Sequence, residues 1–160
     1  SRGLGDVYKR QEPYDAKSMT NIVKTAFKAK NVEIDNKCAE IIGNASRSTP
    51  RIANNYVRCI YDFALVLNDG KITEEVVYNS FDVMGINKYG LNQMDMKYLQ
   101  YLKDARKAVG VETLATALGT DKKSLEEVVE PYLIQCGLII KGTRGRSINQ
   151  KGANIVAEFE

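Results

Sequence analysis

Arg51 stands directly behind Pro50 in the string Ser46-Arg47-Ser48-Thr49-Pro50-Arg51, and this is the first place in the 160-residue chain where residue type and position suggest chemistry. Threonine followed by proline is a common way to begin a helix, because the hydroxyl can accept an orphan amide and proline at the first helical position gives up a bond that position does not make. A cation in the turn that follows opposes the helix dipole. Spacing alone leaves two readings open: an arginine reaching water, or an arginine kept for an anionic ligand. A second cationic feature lies near the other end. Lys141, Arg144, Arg146 and Lys151 fall between Lys141 and Ala157 with no acid among them, whereas residues 12 to 88 balance ten basic against ten acidic residues. Gly142-Thr143-Arg144-Gly145-Arg146 reads as a hairpin tip that can bring its cations close to nucleic-acid phosphates, or as a turn whose charges serve solubility.

Other chemistries are excluded by what the chain lacks. It has no histidine, so the imidazole base of most triads and the common His-containing zinc sites are both missing. No GxxxxGK[ST] loop, GxGxxG or CxxC pair occurs, so the chain alone is expected not to hydrolyse a nucleotide. Cys38, Cys59 and Cys136 are odd in number, far apart and set in apolar helical patterns. They read as small core residues of a reducing cytoplasm. With 44% hydrophobic and 27% charged residues, a net charge of +3 and no apolar run near the roughly 18 residues needed to cross a bilayer, the composition is that of a globular protein without a membrane span.

The elements that must hold these residues are mainly helical. Ser1 to Gln11 shows no apolar period and reads as a disordered or non-native leader. Asp15 predicts the cap of a first helix with Met19, Ile22, Val23, Ala26 and Phe27 inward, and Asp35 that of a second with Cys38, Ile41, Ile42 and Ala45 inward. The third begins at Thr49-Pro50 and turns Ile52, Ala53, Tyr56, Val57, Ile60, Phe63, Ala64 and Leu67 inward. Thr73 caps a fourth, buried along Val76, Val77, Phe81 and Met84 and ended by Gly85. Asn87-Lys88-Tyr89-Gly90 is linker-like, and a boundary is placed there, between residues 12 to 88 and 89 to 160.

Beyond it come a helix with Met94, Tyr98, Leu99 and Leu102, a short one over Glu112 to Leu118, and a third from about Ser124 with Leu125, Val128, Val129, Tyr132, Leu133 and Cys136 inward. Pro131 should kink that third helix. Two short strands around the glycine-bearing turn follow, and three helices with a hairpin is the layout of a winged helix-turn-helix. The helix in the recognition position starts with Lys122-Lys123 but continues with Glu126, Glu127 and Glu130, which suits the major groove poorly. Backbone contact by the wing is expected, with little base readout.

Two strings carry a family resemblance: Thr49-Pro50-Arg51-Ile52-Ala53-Asn54 and Glu130-Pro131-Tyr132-Leu133-Ile134-Gln135. With Asp62-Phe63-Ala64, Met94-Asp95, Val111-Glu112-Thr113-Leu114-Ala115 and Arg144-Gly145-Arg146, they make residues 12 to 157 resemble the C-terminal part of the RuvB family, the bacterial Holliday-junction branch-migration ATPases. The resemblance implies an AAA+ helical lid over 12 to 88 and a winged-helix DNA-binding domain over 89 to 160. Arg51 matches the sensor-2 arginine that reaches nucleotide phosphates, and Tyr14 a tyrosine lining the nucleotide pocket. Lys141 and Arg146 match basic wing positions that touch DNA, with Arg144 auxiliary between them and Lys122 a basic position at the start of the recognition helix. It further implies ATP, with Mg2+ held by an ATPase core outside this chain, duplex and four-way junction DNA, a junction-binding partner protein, a homohexamer, and a cytoplasmic role in recombination, repair and the SOS response to DNA damage.

This sequence departs from the family's pattern in places. Asn55 stands where an arginine is usual, Arg106-Lys107-Ala108 replaces a glycine-glycine-proline stretch, and Thr143 replaces the wing proline, which loosens the turn. Residues 1 to 11 match nothing at the place where the family carries its arginine finger. Two alternatives stay open: a free-standing winged-helix regulator with an N-terminal helical interaction bundle, and an origin-binding AAA+ initiator, which shares the arrangement but not the Glu130-to-Gln135 string.

Overall fold

A computed structural model describes residues 14–160, so the leader reading falls outside the described residues. The chain forms two compact units, one ending at Gly90 and the other running Leu91–Glu160. The fold is mainly helical with a single antiparallel hairpin among the described residues.

The first unit is a four-helix bundle of α1 (Ala16–Lys28), α2 (Asn36–Ala45), α3 (Pro50–Leu67) and α4 (Glu74–Met84). Its starts are fixed locally: the Asp15 carboxylate accepts from the Ser18 amide, Asp35 from Cys38 and the Thr73 hydroxyl from Val76. Gly85, at φ 74°, closes α4 in the left-handed conformation. Met19, Val23 and Phe27 of α1 meet Cys38, Ala39 and Ile42 of α2 in a core completed by Val57 and Ile60 of α3 and Val77 and Phe81 of α4. α1 and α2 approach closely because Gly43 has no side chain; a Cβ there would lie 3.1 Å from the Thr20 amide. Leu67 departs from the expected inward stripe and is 63% exposed, since Ala64 is the last buried position of α3 and the helix runs a further turn beyond it.

The second unit opens with α5 (Gln93–Ala105), fixed by a reciprocal capping box in which the Asn92 side chain accepts from the Asp95 amide and the Asp95 carboxylate from the Asn92 amide, both at 2.9 Å. α6 (Val111–Leu118) follows, ended by Gly119 at φ 68°. Next comes α7, made of three consecutive helical segments: an α-helical start (Lys122–Ser124), a π-helical turn (Leu125–Val129) and an α-helical end (Glu130–Gln135). A π turn lies directly before Pro131: its wider loop is closed by the Glu130 amide on the Leu125 carbonyl, ahead of a proline that has no amide to give. It also rotates the inward stripe. Leu125, Val129 and Leu133 are buried, but Val128, expected inward, is 70% exposed, and Glu130, one of the three acids of this helix, is 1% exposed.

β1 (Ile139–Gly142) and β2 (Gly145–Ile148) form the wing, with Lys141 opposite Arg146 and Gly142 opposite Gly145. The backbone of Val109 pairs with the far edge of β2, exchanging bonds of 2.8 and 2.7 Å with Arg146. A final helix, α8 (Gln150–Glu158), escaped the sequence reading; Asn149 caps it, Ile155 and Val156 bury, and Glu160 beyond it pairs with Lys103 of α5.

Gly145 sits at φ 124°, and a Cβ there would lie 2.4 Å from the Val109 carbonyl oxygen. Gly145→Ala is therefore expected to destabilise the second unit by about 2 kcal/mol or more, the upper part of the range for such backbone positions. Gly119→Ala, at φ 68° with nothing within 4 Å of the added carbon, should cost only about 1 kcal/mol. Thermal melts of the two variants check the order.

Candidate nucleic-acid interface and phosphate-facing turn

Two places carry the cations that the sequence singles out. The first is the turn between α2 and α3. Arg47 and Ser48 both adopt left-handed conformations, at φ 55° and 52°, which non-glycine residues hold only at a cost of about 1–2 kcal/mol each. Four contacts fix them there. The Ser46 hydroxyl donates to the Ile42 carbonyl at 2.6 Å, the Thr49 hydroxyl to the Arg47 carbonyl at 2.9 Å, and Arg47 Nε to the Gly90 carbonyl at 3.1 Å. The Tyr14 amide reaches the Ser48 carbonyl at 3.4 Å. Thr49 occupies the N-cap position of α3, but its hydroxyl serves the turn rather than the helix amides, so no side chain caps this start. Amides at an uncapped helix start and the Arg51 guanidinium, exposed in its first turn, together favour an anion. The turn thus takes the amide of Tyr14, half exposed ahead of α1, onto Ser48, three residues before Arg51 at the start of α3.

The second place is the wing. Thr143 and Arg144 form its two-residue tip, and Arg144 is exposed with no ion pair among the described residues. Lys141, on the rising strand, has its ammonium 3.9 Å from a carboxylate oxygen of Glu126 and equally far from one of Glu130. Lys122 lies 3.4 Å from Glu112, both exposed. Lys151 donates to the Cys136 carbonyl at 3.0 Å, close behind the last turn of α7.

Arg146, expected to touch DNA, is placed largely inside the second unit. It is 7% exposed, and its guanidinium grips Glu130 with two bonds, Nε at 2.7 Å and an outer nitrogen at 3.1 Å, the latter also 3.4 Å from Glu126. The Tyr98 hydroxyl donates to the same Glu130 carboxylate at 2.6 Å, so α5, α7 and β2 are tied through one buried charge. Burial is the largest influence on Glu130 and pushes its carboxyl upward, but the hydrogen bonds from Arg146 and Tyr98 and the charges of Arg146 and Lys141 outweigh it and hold the group below its ordinary value. The Glu130 hydrogen bond raises Arg146, and burial followed by Glu130 drives the Tyr98 phenol far up. All three therefore keep one protonation state at neutral pH. Sequence reading missed Tyr98, Glu126 and Glu130 as members of this site. The available signal was Glu126 and Glu130, four residues apart on the helix before a wing that carries two cations facing each other across its strands.

Comparison with known proteins bears on both places. Residues 14–87 match the model of the RuvB AAA lid domain and residues 88–157 that of the RuvB C-terminal winged helix domain. The chain belongs to the RuvB family. It is 39% identical over 147 residues to the Holliday junction branch migration complex subunit RuvB of Ehrlichia ruminantium (strain Gardel), covering 92% of this chain and 44% of that protein. The RuvB subunit of Parabacteroides distasonis is 42% identical over 139 residues, covering 86% and 41%. Among solved structures, the Thermotoga maritima RuvB Holliday junction branch migration motor superposes with a TM-score of 0.80 at 32% identity, over 91% of this chain and 50% of that one. The chain thus spans less than half the length of these curated RuvB relatives. Two consecutive RuvB domain matches fit the lid-plus-wing reading rather than a regulator whose first domain is an unrelated bundle.

Removing one member of a buried ion pair leaves the other charge uncompensated, so Glu130→Ala is expected to destabilise the second unit by about 3–5 kcal/mol. Because the folded-state value of Glu130 is depressed, its contribution is present above the ordinary glutamate value of 4.5 and is lost as pH falls through the folded value. Melts between pH 7 and 3 should show a decline below about pH 4.5 that Glu130→Gln makes shallower.

Proposed function

We propose that the chain supplies the nucleotide-sensing lid and the DNA-holding winged helix of an ATP-driven Holliday-junction branch-migration helicase that acts in the cytoplasm, in recombination and repair. The observation that carries this reading is the conjunction of an exposed Arg51, on a strained turn shared with Tyr14, and an exposed Arg144 at the tip of a wing, in a chain of the RuvB family. An exposed guanidinium beside uncapped helix amides fits the terminal phosphates of ATP, and Tyr14 supplies an aromatic ring for the same ligand. ATP hydrolysis would supply the free energy for moving the junction. Mg2+ for that hydrolysis would be held by an ATPase core outside this chain.

The lid's part is to bring Arg51 to phosphate and orient it, since the turn fixes the backbone before α3 and leaves only side-chain torsions free. The wing's part is to bind the sugar-phosphate backbone through Arg144 and Lys141, with Lys122 contributing from the start of α7. Arg146 orders the wing from inside. A helix carrying Glu126 and Glu127 is not one that reads bases, which suits a motor that must pass every sequence. A homohexamer and a junction-binding partner protein complete the reading.

In a full-length protein carrying the ATPase core, Arg51→Ala is expected to cut ATP turnover by about a hundredfold or more, the scale of losing one charge-stabilising group, with the lid still folded. Unchanged turnover removes Arg51 from the site. For the wing, fluorescence anisotropy on several unrelated duplexes and one four-way junction should show no favoured linear sequence. Arg144→Ala should weaken all of them alike and reduce the log-log salt slope by about one unit. A single preferred sequence, indifferent to Arg144→Ala and altered by changes at Lys122, would instead support the regulator.

A further inference from the structure

Two of the wing's cations, Lys141 and Arg146, already have carboxylate neighbours. Lys141 and Arg146 stand directly opposite each other on paired strands, an unfavourable arrangement for like charges. Two carboxylates from α7 relieve it, and they divide the task unequally. Glu130 is buried and takes both strong bonds of Arg146. Glu126, one-third exposed at its side chain, lies at the rim, 3.4 Å from Arg146 and 3.9 Å from Lys141. Lys141 is itself about half exposed, so its ammonium has one side toward Glu126 and the other toward solvent. A phosphate arriving at the wing meets Lys141 in the geometry of an exchange, with one anionic oxygen replacing another. The acidic helix in the recognition position, unexplained as a reader of bases, thereby acquires a task.

Resting on the reading of the wing as a backbone-binding element, we propose that Glu126 is an intramolecular competitor of DNA phosphate for Lys141, a residue that sets how weakly the wing holds the duplex. Glu130 cannot fill this role, because Arg146 and Tyr98 occupy its oxygens in the interior whether or not DNA is present. Glu127 cannot either: it is exposed one residue further along, and it makes no ion pair among the described residues. A weak grip is chemically appropriate to a protein that must release one phosphate to take the next.

The test uses the 160-residue chain and a fluorescein-labelled duplex of arbitrary sequence, in anisotropy titrations at low and at moderate salt. Glu126→Gln keeps the size of the side chain and can still accept from Arg146, while Glu130 retains the two stronger bonds, and melting curves check that the unit stays folded. The variant is expected to bind DNA about two- to fivefold more tightly at low salt, the range an exposed ion pair supports. The gain should shrink as salt screens the pair. Glu127→Gln, which removes the same charge from the same helix without touching Lys141, should give a clearly smaller gain. In a Lys141→Ala background, Glu126→Gln should give none. Equal gains from the two glutamine variants, or a gain that persists without Lys141, would show a general field effect and overturn the proposal. So would wing-dependent binding that Glu126→Gln leaves unchanged. Failure of the unmodified chain to bind, or binding indifferent to Arg144→Ala, would instead overturn the wing reading itself and this inference with it.

Discussion

A carboxylate can lie in a protein interior only where other donors replace the water it has lost, and the second unit is arranged around one such group. Glu130 is almost wholly buried, and its oxygens are met by Arg146 from the wing and Tyr98 from α5. The cluster contributes less to net stability than its short distances suggest, since each ion gave up its hydration to enter. What it supplies is a single allowed arrangement. A hairpin of two four-residue strands is marginal by itself, and this one is held close to its tip, at Arg146, by a charge that cannot be left unpaired. The Val109 backbone seals the other edge of β2, and Gly145 and Gly152 give up side chains so that neighbouring backbones can approach.

The same economy governs the first unit at a smaller scale. Two consecutive residues in left-handed conformation would relax if nothing opposed them, and the turn before α3 persists because hydroxyls, a guanidinium and a neighbouring amide are all satisfied only in that shape. The energy stored there is offset by the bundle core beneath it. The turn sets the backbone from which α3 and Arg51 start, and its Ser48 carbonyl accepts the Tyr14 amide.

Both places place cations by ordering the backbone first and leaving the terminal groups free. At the wing the ordered cation is Arg146 and the free one Arg144, although three letters of sequence separate them by only a glycine. Two identical residues can therefore have opposite roles, one structural and one available to a ligand. The decision rests on position: Arg144 stands in the two-residue tip beyond the strand pairing, whereas Arg146 lies within β2, where Glu130 of α7 meets it.

The amino-acid sequence determined the helical periods, the caps at Asp15, Asp35 and Thr73, the glycine stop at Gly85, the hairpin at Gly142–Gly145 and the unusual position of Arg51, because each of these depends on neighbours a few residues away. Its two specific strings carried the family as well. Only the tertiary structure decided that Val128 turns outward and Glu130 inward, since a π turn adds part of a residue to the helical period and periodicity arguments assume that period fixed. It likewise decided that Arg146 is buried, that Tyr98 closes the cluster from 32 residues away, and that Glu126 rather than Glu127 faces Lys141. α8 was legible in part, through Asn149 and the pair Ile155 and Val156, but its burial depends on a surface of α5 that lies far from it in sequence. The division follows from range: local hydrogen bonding and apolar spacing are written in adjacent residues, whereas the pairing of buried charges is settled only when distant elements meet.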